Sequence, residues 1–180
     1  MTEWELEGKK SCVLGTEIHA VMERLWYRKS YHTVLDKNSP LIDDYNSRVI
    51  KCKKLYEQLK TRFVPVKSEY IVYDVDAALC GTIDFIAYDT QLNKYVIFDY
   101  KTNKEIKSIP NKWTKPLYDP FSTLWDNELG KYSLQLSTYK AILEKNCPDI
   151  SIGSMYLLHI PGGVNPIKSF KCHDVSEIVK

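Results

Sequence analysis

The chain has 180 residues, 44% of them hydrophobic and 27% charged, with a net charge of +2 and a pI near 8.2. Such a balance fits one ordinary single domain over residues 1–180 with a real core; it excludes disorder and a chain-wide polybasic binder, so any basic surface must be local. No apolar run approaches the ~20 residues of a membrane-spanning helix, and Met1-Thr2-Glu3-Trp4-Glu5 lacks the basic-then-apolar order of a signal peptide. An intracellular protein with no membrane partner is expected. Cys12, Cys52, Cys80, Cys147 and Cys172 are odd in number and scattered, with no Cys-x-x-Cys pair, which argues for reduced core thiols over a disulfide scaffold, a zinc ribbon or a locally clustered iron–sulfur site.

After a polar lead-in, Leu14, Ile18, Val21, Met22 and Leu25 recur at helical spacing, which predicts a helix over Leu14–Arg28 with His19 and Glu23 on one edge. Tyr31–Asn38 is polar and predicts a loop. Ser39-Pro40 offers an N-cap with proline at the first helical position, and Asp43 and Asp44 suit the positive end of the helix dipole. From there Leu41, Tyr45, Val49, Cys52, Tyr56, Leu59 and Phe63 mark a long amphipathic helix ended by Pro65. Its other faces carry Arg48, Lys51, Lys53, Lys54, Lys60 and Arg62, read either as a solvated surface or as one that contacts phosphates.

Three strands follow: Lys67–Tyr73, then Gly81–Tyr88 after an Asp74-Val75-Asp76 turn, then Tyr95–Lys101. The simplest arrangement is an antiparallel meander. Asp84 interrupts Ile83 and Phe85, while Asp99 and Lys101 close a run that otherwise reads as a buried central strand. Such charges are costly in a strand of that kind unless something compensates them, and a bound metal would. Side chains alternate along a strand, so Asp99 and Lys101 share a face, and a hairpin turn over Asp89–Asn93 would bring Asp84 to them.

Residues Thr102–Gly130 show no sustained period and interleave Trp113, Tyr118, Phe121 and Trp125 with lysines. Either these aromatics pin an irregular loop to the core, or they stack bases beside cations that hold phosphates. Lys131–Asn146 returns to helical spacing, with Gln135 and Tyr139 facing one way, and Ser154–Ile160 reads as a further strand. Val164–Lys180 carries only a weak strand or helix pattern.

Aspartates on neighbouring strands, a lysine two residues beyond the second, and a helical histidine form an oxygen and nitrogen donor set suited to Mg²⁺ or Mn²⁺. Such an ion activates water and neutralises charge on a phosphate, and Lys101 would orient the water or stabilise developing charge. A phosphatase of small esters could use the same groups, but the long aromatic and basic loop favours a polymer.

The series Gly15-Thr16-Glu17-Ile18-His19 with Glu23, Gly81-Thr82-Ile83-Asp84, Asp99-Tyr100-Lys101-Thr102, then Gln135 and Tyr139 resembles the motifs of RecB-like exonucleases, a branch of the PD-(D/E)xK nuclease superfamily. Within that branch it is most similar to the mitochondrial genome maintenance and phage-encoded exonucleases. Asp84 follows Ile83 where the superfamily's name has proline, as is usual in that branch. The resemblance covers about Leu14–His159 and implies an α/β, restriction-endonuclease-like core, a central mixed sheet flanked by helices in α-β-β-β-α-β order. It implies metal held by His19, Asp84, Asp99 and the Tyr100 carbonyl, with Lys101 as the catalytic lysine. Gln135 and Tyr139 would position substrate, and Glu23, Glu69 and Thr102 would support the site.

The implied activity is divalent-metal-dependent hydrolysis of DNA, as an exonuclease on single strands or duplex ends in repair, recombination or replication. RNA is not excluded as substrate, and the alternatives are an RNA endonuclease of the same fold or a nucleic-acid-binding module that has lost catalysis. Some relatives hold an iron–sulfur cluster through cysteines near both ends of the domain; the C-terminal set is missing here, so Mg²⁺ or Mn²⁺ is the expected cofactor and no cluster is. No phosphate-loop motif is present, so a helicase or other replication partner would reside on another chain.

Overall fold

The structure is a computed structural model describing residues 3–30 and 32–179; Met1, Thr2, Tyr31 and Lys180, which belong to the segments read above as lead-in, loop and tail, lie outside the described residues. The chain forms two compact units. One comprises residues 1–62, 100–105 and 158–168, the other residues 63–99, 106–157 and 169–180.

The first unit is built on α1 (Glu3–Trp26) and α2 (Ile42–Leu59), which lie against each other. The predicted periodic residues Leu14, Ile18, Val21 and Met22 are buried on α1, as are Tyr45, Val49 and Cys52 on α2, where Leu55 joins them while the predicted Leu41, Tyr56 and Leu59 are half-buried. Helix α1 starts at Glu3, well before the expected Leu14. The added turns are rich in Glu and Lys, good helix formers that create no apolar stripe and so leave no periodic signal. The start and end of α2 also differ from expectation. Ser39 makes a turn, its carbonyl accepting from Ile42 N at 3.0 Å, and the N-cap is Leu41 with no side-chain cap bond. Asp43 and Asp44 do fall in the first turn. At the other end the helix stops at Leu59, Lys60 N–H still donating to Tyr56 O, and Phe63 already belongs to a strand.

The second unit carries the meander. Strand β1 (Phe63–Asp74) pairs antiparallel with β2 (Leu79–Asp89), which pairs antiparallel with β3 (Lys94–Lys101). Pro65 lies within β1 beside a register shift between Pro65 and Lys67, a bulge being one of the few strand positions that tolerate a missing N–H. The hairpin turns form as read: Asp74 Oδ1 accepts from Asp76 N and Ala77 N, and Asp89 Oδ1 from Gln91 N and Leu92 N.

Helix α3 (Glu128–Asn146) begins three residues before the expected Lys131 because Asn127 caps it, its side chain accepting from Gly130 N at 2.8 Å. Strands β4 (Ile152–His159) and β5 (Lys168–Lys171) and the short α4 (Ser176–Val179) complete the chain. The five-stranded sheet has the order β1-β2-β3-β4-β5. Because β3 and β4 are neighbours joined through a helix, the crossover that parallel strands require, the sheet is mixed and the class is α/β as expected. Val72, Ile83, Ile97, Leu136, Leu143 and Met155 are among the residues of this unit's core.

Of the long segment before α3, Ile106 and Leu124 are buried and anchor it, while Trp113 and Tyr118 are 78% and 95% exposed. The anchors are therefore aliphatic, and of the loop's aromatics Trp113, Tyr118 and Trp125 are exposed and Phe121 is half-buried. No helix of the described residues is long and apolar enough to cross a membrane.

Candidate active site

In the second unit, the meander gathers carboxylates from three consecutive strands. The pairs Ser68↔Phe85 and Tyr70↔Ile83 leave Glu69 across from Asp84, and their carboxylate oxygens lie within 4.8 Å of each other. Glu69 has φ +47, a left-handed conformation in the middle of a strand. For a non-glycine residue this costs on the order of 1–3 kcal/mol and persists only where the surroundings hold it. On the other side, the pairing of β2 with β3 runs to Phe85↔Phe98, and the next residues along the two strands are Asp84 and Asp99. Asp99 is only 3% exposed, a depth at which an ionised carboxylate needs compensating charge or hydrogen bonds.

Helix α3 closes on this sheet through one contact that explains a motif glycine. A side-chain carbon at Gly81 would stand 2.2 Å from Tyr139 Cε1, so the Tyr139 ring lies on bare β2 backbone three residues before Asp84. Gln135 Nε2 donates to Tyr139 Oη at 2.8 Å and fixes the ring's outer end. The predicted pair is thus a hydrogen-bonded unit seated on the strand that carries Asp84.

The first unit holds the remaining motif residues. His19 Nε2 lies 2.9 Å from the Tyr100 carbonyl oxygen, so Nε2 carries the proton and donates. The imidazole and the carbonyl oxygen are both of the donor types that a hard divalent cation would accept. Tyr100 is fixed from its own ring as well, its hydroxyl accepting from Trp26 Nε1 at 3.2 Å. Lys101 is half-buried, and its carbonyl accepts from Ile160 N at 2.8 Å. With imidazole nitrogen, a backbone carbonyl and carboxylates available and no thiolate among them, the donor set fits a hard divalent cation.

Arg48 is the residue that sequence reasoning misplaced. Read as part of an exposed basic face, it is 7% exposed. Its Nε and Nη2 donate to the two Asp44 carboxylate oxygens at 3.0 and 3.2 Å, and Nη1 donates to the carbonyls of Thr102 at 2.8 Å and Ile160 at 2.6 Å. The guanidinium therefore ties down the backbone at Thr102, immediately after Lys101. Lys51 is likewise occupied, donating to Pro161 O at 2.6 Å and Gly163 O at 2.8 Å, and burial followed by the nearby Arg48 charge lowers its pKa, with Asp44 opposing. The four-residue spacing of Asp44 and Arg48 was the available signal for an ion pair, but nothing local could show that it is buried. Glu23 is half-buried, and its carboxylate forms no hydrogen bond or ion pair among the described residues. Glu17, within the His19 motif, serves structure: Thr33 Oγ1 donates to it at 2.6 Å and Val34 N at 3.3 Å.

The five cysteines form no disulfide, with Cys52 and Cys172 buried, Cys147 half-buried and Cys12 and Cys80 exposed, so the expectation of core thiols holds for only part of the set. No curated protein matches the chain. Residues 3–162 match the family model of the PD-(D/E)XK nuclease superfamily, whose members are nucleases that generally use divalent metals such as Mg²⁺ and whose restriction-endonuclease-like core is an α/β fold with a mixed sheet of this kind. With that match running through α1, the meander, α3 and β4, the chain belongs to the PD-(D/E)XK nuclease superfamily.

Proposed function

We propose that residues 1–180 act as one RecB-like nuclease domain that hydrolyses DNA phosphodiester bonds with Mg²⁺ or Mn²⁺, as an exonuclease on single strands or duplex ends in DNA repair, recombination or replication. The observation that carries this reading is the convergence of Glu69, Asp84 and Asp99 on three adjoining strands, with Lys101 two residues beyond Asp99. Family membership supplies the reaction class, and the free aromatics Trp113 and Tyr118 beside Lys112 and Lys115 favour a polymer with bases to stack over a small phosphate ester.

In this mechanism His19, Asp84, Asp99 and the Tyr100 carbonyl hold the cation, and Glu69 joins Asp84 as a further oxygen donor. The cation, when bound, lowers the pKa of water and neutralises charge on the phosphate. Lys101 would stabilise the charge that grows on the phosphate oxygens. Arg48, by holding Thr102 O, keeps the backbone beside that lysine in place, and Tyr139 with Gln135 keeps β2 in register near Asp84.

The test is incubation of 5′-labelled single- and double-stranded DNA, and an RNA of the same sequence, in Mg²⁺, Mn²⁺ or EDTA. The wild type should give a product ladder only with metal. Asp84→Asn, Asp99→Asn and Lys101→Ala should each reduce the rate by about 10²-fold or more while melting like the parent. Wild-type rates from any of the three folded variants would defeat the assignment, and faster cleavage of RNA would move the substrate to that polymer.

A further inference from the structure

A cleft of about 450 Å³ lies in the first unit, lined by α1, the turn before α2 and the stretch that follows Lys101. Its cations are Arg48, Lys10 on α1, and Lys104, and neither lysine ammonium forms a hydrogen bond or ion pair among the described residues. The carboxylate that lines it, Asp44, is already bound by the Arg48 fork. The cleft is therefore net positive with two uncommitted charges. Leu14, Pro40 and Leu41 give it an apolar wall, and Thr102 contributes to its lining directly after Lys101. Its floor is firm, because Arg48 also holds the carbonyls of Thr102 and Ile160.

Uncommitted cations beside an apolar wall match the chemistry of a nucleotide, an anionic phosphate joined to a sugar with C–H surface and a base with an apolar face. The volume is within the about 300–1,000 Å³ range of small-ligand sites, enough for one such unit and too small for a folded protein element. We propose that this cleft is a subsite for one nucleotide of the nucleic-acid chain beyond the scissile bond, its phosphate held by Lys10 and Lys104 and its sugar and base set against Leu14, Pro40 and Leu41. The inference rests on the nuclease reading, since it is Lys101 that makes Thr102 a landmark of the reacting phosphate.

The two readings are tested separately. Binding of a fluorescein-labelled single-stranded oligonucleotide to the full chain is measured by anisotropy in EDTA over a range of salt, so that no cleavage is needed. Lys10→Ala and Lys104→Ala should each weaken binding about 5-fold, and each should reduce the slope of log Kd against log salt by roughly 0.7. Lys10→Arg and Lys104→Arg should keep most of the affinity, and Lys171→Ala, on exposed β5, should change neither quantity. A double alanine variant that binds with the parent's Kd and slope overturns the subsite, even if the wild type cleaves DNA. A lysine-dependent loss in a chain that does not cleave sustains the nucleotide site while the nuclease reading fails. Inorganic phosphate is the remaining arm: saturable phosphate binding lost in the double variant, with oligonucleotide binding untouched, would make this a site for the free anion and refute the proposal.

Discussion

Replacing Arg48 by methionine removes a side chain that joins α2 to the backbone after both β3 and β4. Its loss leaves the buried Ile160 carbonyl and the part-buried Thr102 carbonyl without that donor, at about 1–3 kcal/mol each, Thr102 at the lower end. It also strands Asp44, but that side chain is 33% exposed against 8% for Arg48, so water screens its charge and this contribution is small. The two carbonyls together set an expected total of about 3–5 kcal/mol. At roughly 2–4 °C per kcal/mol for a chain of this size, Tm should fall by about 6–20 °C. Calorimetry and urea unfolding measure it. Arg48→Lys should recover little, because an ammonium cannot make the two-pronged contact with Asp44 and reach two carbonyls as well. Assayed below its own melting range, Arg48→Met should lose kcat more than it raises KM, since the disturbed backbone adjoins Lys101. A variant that melts within about 2 °C of the wild type would show that the guanidinium is dispensable and that the reasoning from buried partners is wrong.

Gly81→Ala should destabilise by about 1–3 kcal/mol and displace the Tyr139 ring, while Tyr139→Ala in the same chain should relieve the clash; strictly additive penalties in urea melts would count against the contact. His159 is buried, and its Nε2–H donates to Asn103 O at 2.7 Å. Burial first, then the charges of Lys168, Arg48 and Lys51, hold its pKa below the usual value of 6.5, against the opposing Asn103 bond. The folded state thus binds this proton less readily than the unfolded chain, so its contribution to stability is complete above about pH 6.5 and is lost as pH falls from there through the lowered pKa. His159→Gln should flatten that part of a Tm-against-pH profile, and an unchanged profile would assign the acid sensitivity elsewhere. Burial pushes the Cys52 thiol up to about 12, so at pH 8 a thiol reagent should label exposed Cys12 and Cys80 and reach Cys52 only after unfolding; rapid native labelling of Cys52 would contradict its burial.

What the sequence determined by itself was whatever repeats at short range. The apolar spacing of α1, α2 and α3 set which faces are buried, and alternation with turn residues set the meander, from which the approach of Asp84 to Asp99 follows. Element ends were less legible, because Glu- and Lys-rich turns extend α1 without a periodic signal and a bulge admits Pro65 to β1. Only the tertiary structure decided that Glu69 takes a left-handed turn within its strand to bring its carboxylate near Asp84, since its residue type states no backbone angle. It likewise decided that Trp113 and Tyr118 face solvent while Leu124 is the anchor. Arg48 shows the physical reason most plainly. Its charge and its spacing from Asp44 can be read locally, but its two carbonyl partners stand 54 and 112 residues away in sequence. Burial and hydrogen-bond partners at such separations arise only when distant segments meet.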